Sequence, residues 1–148
     1  MTGFNHGMTG AVIALAVKNP AAAVLLSFIS HYVIDSIPHF GFKQEVVLGK
    51  KFNIFHTADF LISVGLMIIL ALLFPHQKFL IWACMITAAA PDAIWWFYRR
   101  TVKDWPKGLD RFTAWHFRVG ERAHTGHFYY DASWFLLMWA IVIIFKIR

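Results

Sequence analysis

The chain has 148 residues, of which 59% are hydrophobic and 18% aromatic, a more apolar composition than that of an average soluble domain. This composition favours an integral membrane protein. No low-complexity linker divides the chain, so we expect a single domain over residues 1–148. The net charge of +6 does not indicate binding of nucleic acid. The basic residues flank apolar segments, where they would contact anionic lipid headgroups. The single cysteine, Cys84, excludes an intramolecular disulfide framework and a cysteine-based zinc site.

Two apolar segments near the N-terminus predict a helical hairpin. The first, residues 9–17, forms either a re-entrant half of the hairpin or, if the helix begins near Thr2, a full crossing. The second covers residues 21–38, with Asn19 as its N-cap and Pro20 at its first helical position.

Three further segments have the length of a membrane-spanning helix. Residues 52–74, 78–98 and 128–147 each approach the roughly 20 apolar residues that cross a bilayer. Between the last two, apolar residues recur at near-helical spacing among basic ones, which is typical of an amphipathic helix on the membrane surface. We therefore predict an all-α, polytopic membrane bundle of four to five transmembrane helices with one amphipathic interfacial helix.

Basic residues are divided unequally between the two ends of the predicted bundle. If successive helices cross in alternating directions, ten of the 14 Lys and Arg residues lie on the side of the N-terminus. Only Lys18, Lys78, Lys146 and Arg148 lie on the other side. The positive-inside rule then makes the N-terminal side cytoplasmic.

Histidines and carboxylates gather on that same side, which receives every histidine except His76 and all eight acids. Asp35, Asp59, Asp92 and Asp131 lie within or at the ends of apolar helices. A charged side chain costs at least about 2.5 kcal/mol there, so each of these acids needs a partner.

Three of the four acids follow a histidine by three or four residues, which places both side chains on one face of a helix. Together with one N-terminal histidine and the fourth acid, they supply nitrogen and oxygen ligands for one to three divalent cations. Zinc is the first choice, and iron or manganese also suits such ligands. The predicted ligands are His6, His31, Asp35, His56, Asp59, Asp92, His127 and Asp131.

Other polar residues on this side receive separate predictions. His116 lies on the predicted surface helix and is expected beside lipid headgroups, and His39 is expected to turn into a loop. Arg122 is a candidate for a bidentate contact with a substrate phosphate. His124, three residues before His127, is a candidate catalytic acid that protonates a leaving group.

The order of these residues resembles known metal sites. It is similar to the His and His-x-x-x-Asp/Glu ligand pattern of zinc-dependent phospholipase C. Most of the chain also resembles a bacterial inner-membrane family of membrane-bound, metal-dependent hydrolases. That family typically has Pro-Asp-x-Asp-His and His-Arg-x-x-Thr-His, where this chain has PDAIW at 91–95 and ERAHTGH at 121–127. The stretches that carry the second resemblance are Asn5-His6-Gly7, Ser30-His31 through Pro38-His39, Pro91-Asp92 and residues 122–127.

Metal binding would explain the buried acids, because a dication neutralises carboxylates and lowers the pKa of a bound water to about 7. We expect a hydrolase of a phospholipid or another lipid-linked phosphate ester at the cytoplasmic face of a bacterial inner membrane. Its expected partners are membrane lipids and the lipid-phosphate substrate, with no nucleic acid. Two alternatives stay open: a divalent-metal or proton transporter, and a noncatalytic bundle with a structural metal. The oligomeric state is left open by these patterns.

Overall fold

A computed structural model of the protein describes residues 1–41, 50–101, 111, 114–116, 118, 123–125 and 127–148. These ranges contain five helices: α1 (Gly3–Ala16), α2 (Pro20–Asp35), α3 (Lys50–Leu73), α4 (Lys78–Thr101) and α5 (Tyr129–Ile147). An isolated bridge between His39 and His124 is the only β-type pairing in the described part. The all-helical prediction is confirmed for these residues. Residues 114–116 are helical too, but the predicted interfacial helix otherwise lies largely outside the described residues.

The first hairpin follows the predicted local signals. Helix α1 begins directly after Thr2, which is the start that the second alternative requires, and the full crossing itself stays a prediction. The side chain of Asn19 accepts a hydrogen bond from the Ala22 N–H (3.2 Å), and Pro20 begins α2, so both predicted start signals are confirmed. Helix α2 ends at Asp35, earlier than predicted. Pro38 disfavours the helical conformation at the residue before it, Ile37, so the helix cannot continue to the proline.

Helix α1 is the central element, since it packs against each of the other four described helices. Its apolar face, with Met8 and Ala11 fully buried, belongs to the main hydrophobic core. At Gly10 the backbone lies so close to the Cys84 carbonyl of α4 that an added Cβ would collide with it. The glycine therefore allows α1 and α4 to approach closely, as small residues do between membrane helices.

Contacts at the two ends define the directions of the helices. At one end the Gly3 N–H donates to Asp59 of α3 (2.7 Å), and at the other Lys146 Nζ donates to the Leu73 carbonyl (2.7 Å). Helices α1, α3 and α5 therefore run in one direction, while α2 and α4 return. This is the predicted alternation. We call the end at which α1, α3 and α5 begin the polar end.

Two of the described helices are long and apolar enough to cross a membrane: residues Asn53–Leu73 of α3, and α5. Only 11% and 17% of their apolar windows are buried within the protein. The core helix of a soluble protein would be mostly buried, whereas these helices expose large apolar side chains such as Leu61, Leu72 and Leu136. At about 1.5 Å per residue, α1 and α2 extend only about 21 and 24 Å. The prediction of four to five transmembrane helices is thus supported for two.

Candidate metal centre

Four of the eight predicted ligands meet at the polar end. His6 of α1, His31 and Asp35 of α2, and Asp92 of α4 each offer one ligand atom, and these atoms lie within 4.8 Å of one another. Both histidines are fully buried, and the Asp35 side chain is 5% exposed. The Asp92 side chain is 44% exposed. We call these four residues the His/Asp centre.

The pair predicted on α2 forms as its spacing requires. His31 and Asp35 are one turn apart on the same helix face, and His31 Nε2 lies 3.2 Å from Asp35 Oδ2. The other ring nitrogen, His31 Nδ1, lies 2.8 Å from the Ala88 carbonyl, so it carries the proton and donates it there. In the neutral ring Nε2 then presents a lone pair toward the carboxylate. Two acceptors at this distance require a cation or a further proton between them, and a backbone carbonyl on the second nitrogen is typical of metal-binding histidines.

His6 is the second sign that the residues fit a metal. Both of its ring nitrogens are buried, and neither has a hydrogen-bond partner within the described residues. Nε2 nevertheless lies 3.1 Å from Asp35 Oδ1. A buried polar atom without a hydrogen bond costs about 1–3 kcal/mol, a cost that coordination of a cation would remove.

A fifth residue, His116, also reaches the centre, although the sequence placed it beside lipid headgroups. Its Nε2 lies 3.0 Å from Asp35 Oδ2 and 3.0 Å from His31 Nε2. The side chain is 10% exposed, and its ring packs against Tyr32. No acid stands three or four residues from His116 in the sequence, so the spacing rule that found the other histidines could not find this one.

Two of the predicted ligands, Asp59 and Asp131, bind backbone instead. Asp59 accepts hydrogen bonds from the Gly3 and Phe4 N–H groups (2.7 and 2.9 Å), and Asp131 accepts one from the Thr2 N–H (3.0 Å). The first N–H groups of a helix lack partners within the helix, and its dipole favours negative charge there. These carboxylates of α3 and α5 therefore cap the start of α1, and neither belongs to the His/Asp centre.

The histidines paired with those two acids also lie outside the centre. His56 is half-buried on α3, with its ring against Phe55. His127 is exposed and stacks on Tyr129, with ring centroids 5.4 Å apart. The predicted helical pair of His127 and Asp131 does not form on one helix, because α5 begins only at Tyr129.

The predicted catalytic acid, His124, and the predicted phosphate ligand, Arg122, are not among the residues of the His/Asp centre. Arg122 lies outside the described residues. His124 lies beside His39, with perpendicular rings 4.9 Å apart between centroids. The His39 N–H donates to the Ala123 carbonyl, and the Thr125 N–H donates to the His39 carbonyl, both at 3.0 Å. Burial lowers the pKa of His39, which keeps this imidazole neutral at neutral pH. The proposed role of His124 stays a prediction.

Comparisons with protein-family models, with curated proteins and with solved structures found no match to this chain. The resemblance to membrane-bound, metal-dependent hydrolases therefore stays a prediction. What the chain does has to be inferred from the chemistry of the His/Asp centre and from its place in an apolar helical bundle.

Proposed function

We propose that the protein is a membrane-embedded, metal-dependent hydrolase of a phospholipid or another lipid-linked phosphate ester, acting at the cytoplasmic face of a bacterial inner membrane. One observation carries this proposal: two imidazoles and two carboxylates offer ligand atoms within 4.8 Å of one another. Such nitrogen and oxygen donors suit zinc first, and also iron or manganese. A divalent cation held there would supply a Lewis acid for the phosphate oxygens.

The exposure of the ligands supports a catalytic over a structural metal. A structural site closes its coordination sphere with protein ligands, whereas a catalytic one keeps a position open. The Asp35 side chain is 5% exposed, but that of Asp92 is 44% exposed. The centre is thus accessible from the Asp92 side.

The surroundings of Asp92 support a lipid-linked substrate. The next two residues of α4, Ala93 and Ile94, are exposed, and Ile94 is 50% exposed. An apolar surface beside the open ligand suits a substrate that arrives through the hydrocarbon phase with its phosphate near the polar end. In this scheme Arg122 contacts the phosphate and His124 protonates the leaving group.

Transport of metal or protons is less well supported. A transport path needs polar residues in both halves of the bundle. In the described part, the interior beyond the His/Asp centre contains mainly apolar side chains, and its two buried hydroxyls, Ser27 and Thr9, each donate to a backbone carbonyl of their own helix. The apolar side chains there that are at most 1% exposed include Met8, Leu70, Ile81, Cys84 and Val142.

The proposal is tested by metal content and activity together. Purified protein should carry stoichiometric transition metal by elemental analysis, and the variants His31→Ala and Asp35→Ala should lose it. In phospholipid vesicles the metal-loaded protein should release a phosphate-containing product, and a chelator should abolish this release. His76→Ala, in the α3–α4 turn at the opposite end, is the matched control and should keep both properties.

Wild-type protein without stoichiometric metal after supplementation would refute the metal centre. Protein that binds metal but cleaves no phosphate ester in vesicles would refute the hydrolase.

A further inference from the structure

The two carboxylates of the His/Asp centre present different oxygen atoms to different imidazoles. His6 Nε2 lies 3.1 Å from Asp35 Oδ1 and 3.7 Å from Asp92 Oδ2. His31 Nε2 lies 3.2 Å from Asp35 Oδ2 and 3.6 Å from Asp92 Oδ1. His116 Nε2 approaches these same two oxygens, at 3.0 and 3.9 Å. Each carboxylate therefore has one oxygen near His6 and the other near His31 and His116.

We propose that the centre binds two divalent cations, bridged by Asp35 and Asp92. His31 and His116 bind the first cation, and His6 binds the second. This inference rests on the proposed function and deepens it, since it sets the number of ions and adds His116 as a ligand.

The ring arrangement suits two ions at the usual separation. The imidazoles of His6 and His31 are stacked, with centroids 4.1 Å apart and planes inclined by 20°. Nearly parallel rings that both direct Nε2 toward the carboxylates hold two ligand atoms side by side. Two-metal sites that cleave phosphate esters have their ions about 3.5–4 Å apart.

His116 belongs with His31 because their Nε2 atoms are only 3.0 Å apart. Nitrogen ligands at about 2.0–2.1 Å from one ion lie roughly 3 Å from each other. If His31 and His116 bound a single ion alone, His6 would keep two buried nitrogens without hydrogen-bond partners in the described part. A second cation bound by Nε2 removes that cost for one of the two nitrogens.

The second cation has fewer protein ligands than the first, because a single histidine serves it. More of its coordination positions are therefore open to water and to substrate oxygens. Two ions bound side by side at the carboxylates would stabilise the attacking and the leaving oxygens of a phosphate ester, which is the task two-metal sites perform in phosphatases.

The number of ions is measured with Mn²⁺ on the full chain in detergent. Equilibrium dialysis should give two Mn²⁺ per wild-type chain, and electron paramagnetic resonance should detect a spin-coupled pair. His6→Ala should bind one Mn²⁺ with the spectrum of an isolated ion. His116→Ala should weaken one of the two sites by at least about 10–100-fold, because loss of a hydrogen-bond partner of a metal ligand already costs that much. His76→Ala should bind two, as wild type does.

Each other outcome is decisive. One isolated Mn²⁺ per wild-type chain would overturn the two-ion centre but leave the proposed function standing, whereas binding of neither Mn²⁺ nor Zn²⁺ would overturn both. Unchanged binding of both ions by His116→Ala would remove His116 from the ligands. If an alanine variant fails to fold by circular dichroism, the glutamine variant, which keeps hydrogen bonding at similar size, replaces it.

Discussion

Four aspartates in similar apolar surroundings have two different kinds of partner. Asp35 and Asp92 face imidazoles, whereas Asp59 and Asp131 accept backbone N–H groups at the start of α1. The sequence predicts that each buried acid needs a partner, but a cation and a set of N–H donors satisfy a carboxylate equally well. Local spacing therefore found the pair on α2, where both residues lie on one helix. It could not find His116, whose partners lie more than 80 residues away in the chain.

Asp131 separates capping from metal binding experimentally. Its carboxylate accepts from the Thr2 and Phe40 N–H groups and from the Asn5 amide (3.0, 2.7 and 3.3 Å). Asp131→Asn places an amide donor against these donors, so at least one is left without an acceptor, at a cost of about 1–3 kcal/mol. Denaturant unfolding in detergent should show this loss of unfolding free energy, with metal content unchanged. Asp35→Asn should lose the metal, and an Asp131→Asn variant with wild-type stability but without metal would contradict the assignment.

At the scale of the elements, helix α1 determines whether the centre forms. It carries His6 but no acid, and its place is set by carboxylates from α3 and α5 and by its close contact with α4. The sequence predicted the existence of all five described helices and most of their boundaries, because long apolar runs and the Asn19-Pro20 start signal are local features. It could not predict that α1 is the central helix. That position depends on which helices pack together, and no local pattern specifies this.

Gly10 provides the test of the α1–α4 contact. An added methyl group would collide with the Cys84 carbonyl, so Gly10→Ala should lower the free energy of unfolding by about 1–3 kcal/mol, the usual cost of overpacking. Gly65→Ala on α3 is the matched control, because no atom lies within 4 Å of its added Cβ. Helix propensity should make that change neutral or stabilising by up to about 1 kcal/mol. If both changes altered the free energy of unfolding equally in denaturant, the α1–α4 contact at Gly10 would leave room for a methyl group and the assignment would be wrong.

At the scale of the whole molecule, the bundle separates its chemistry from its apolar length. The His/Asp centre lies at the polar end, and the outward faces of α3 and α5 are apolar. The alternation of helix directions, which the sequence predicted from the order of the apolar segments, places the α3–α4 turn at the opposite end. The predicted orientation of the bundle in the membrane, in contrast, depends only on the distribution of basic residues. Ten basic residues on the predicted cytoplasmic side against four on the other favour a cytoplasmic centre.

Cysteine labelling of the two ends tests this orientation. In a Cys84→Ala background, Gln77→Cys places one thiol in the exposed α3–α4 turn, and His127→Cys places another at the exposed start of α5. A membrane-impermeant maleimide should label Gln77→Cys in intact spheroplasts, but His127→Cys only after permeabilisation, because the basic end stays inside. The Cys84→Ala parent should remain unlabelled. Labelling of both ends in intact spheroplasts would show that the bundle does not cross the membrane. Labelling of His127→Cys alone would place the His/Asp centre on the outer face, where cytoplasmic lipid phosphates could not reach it.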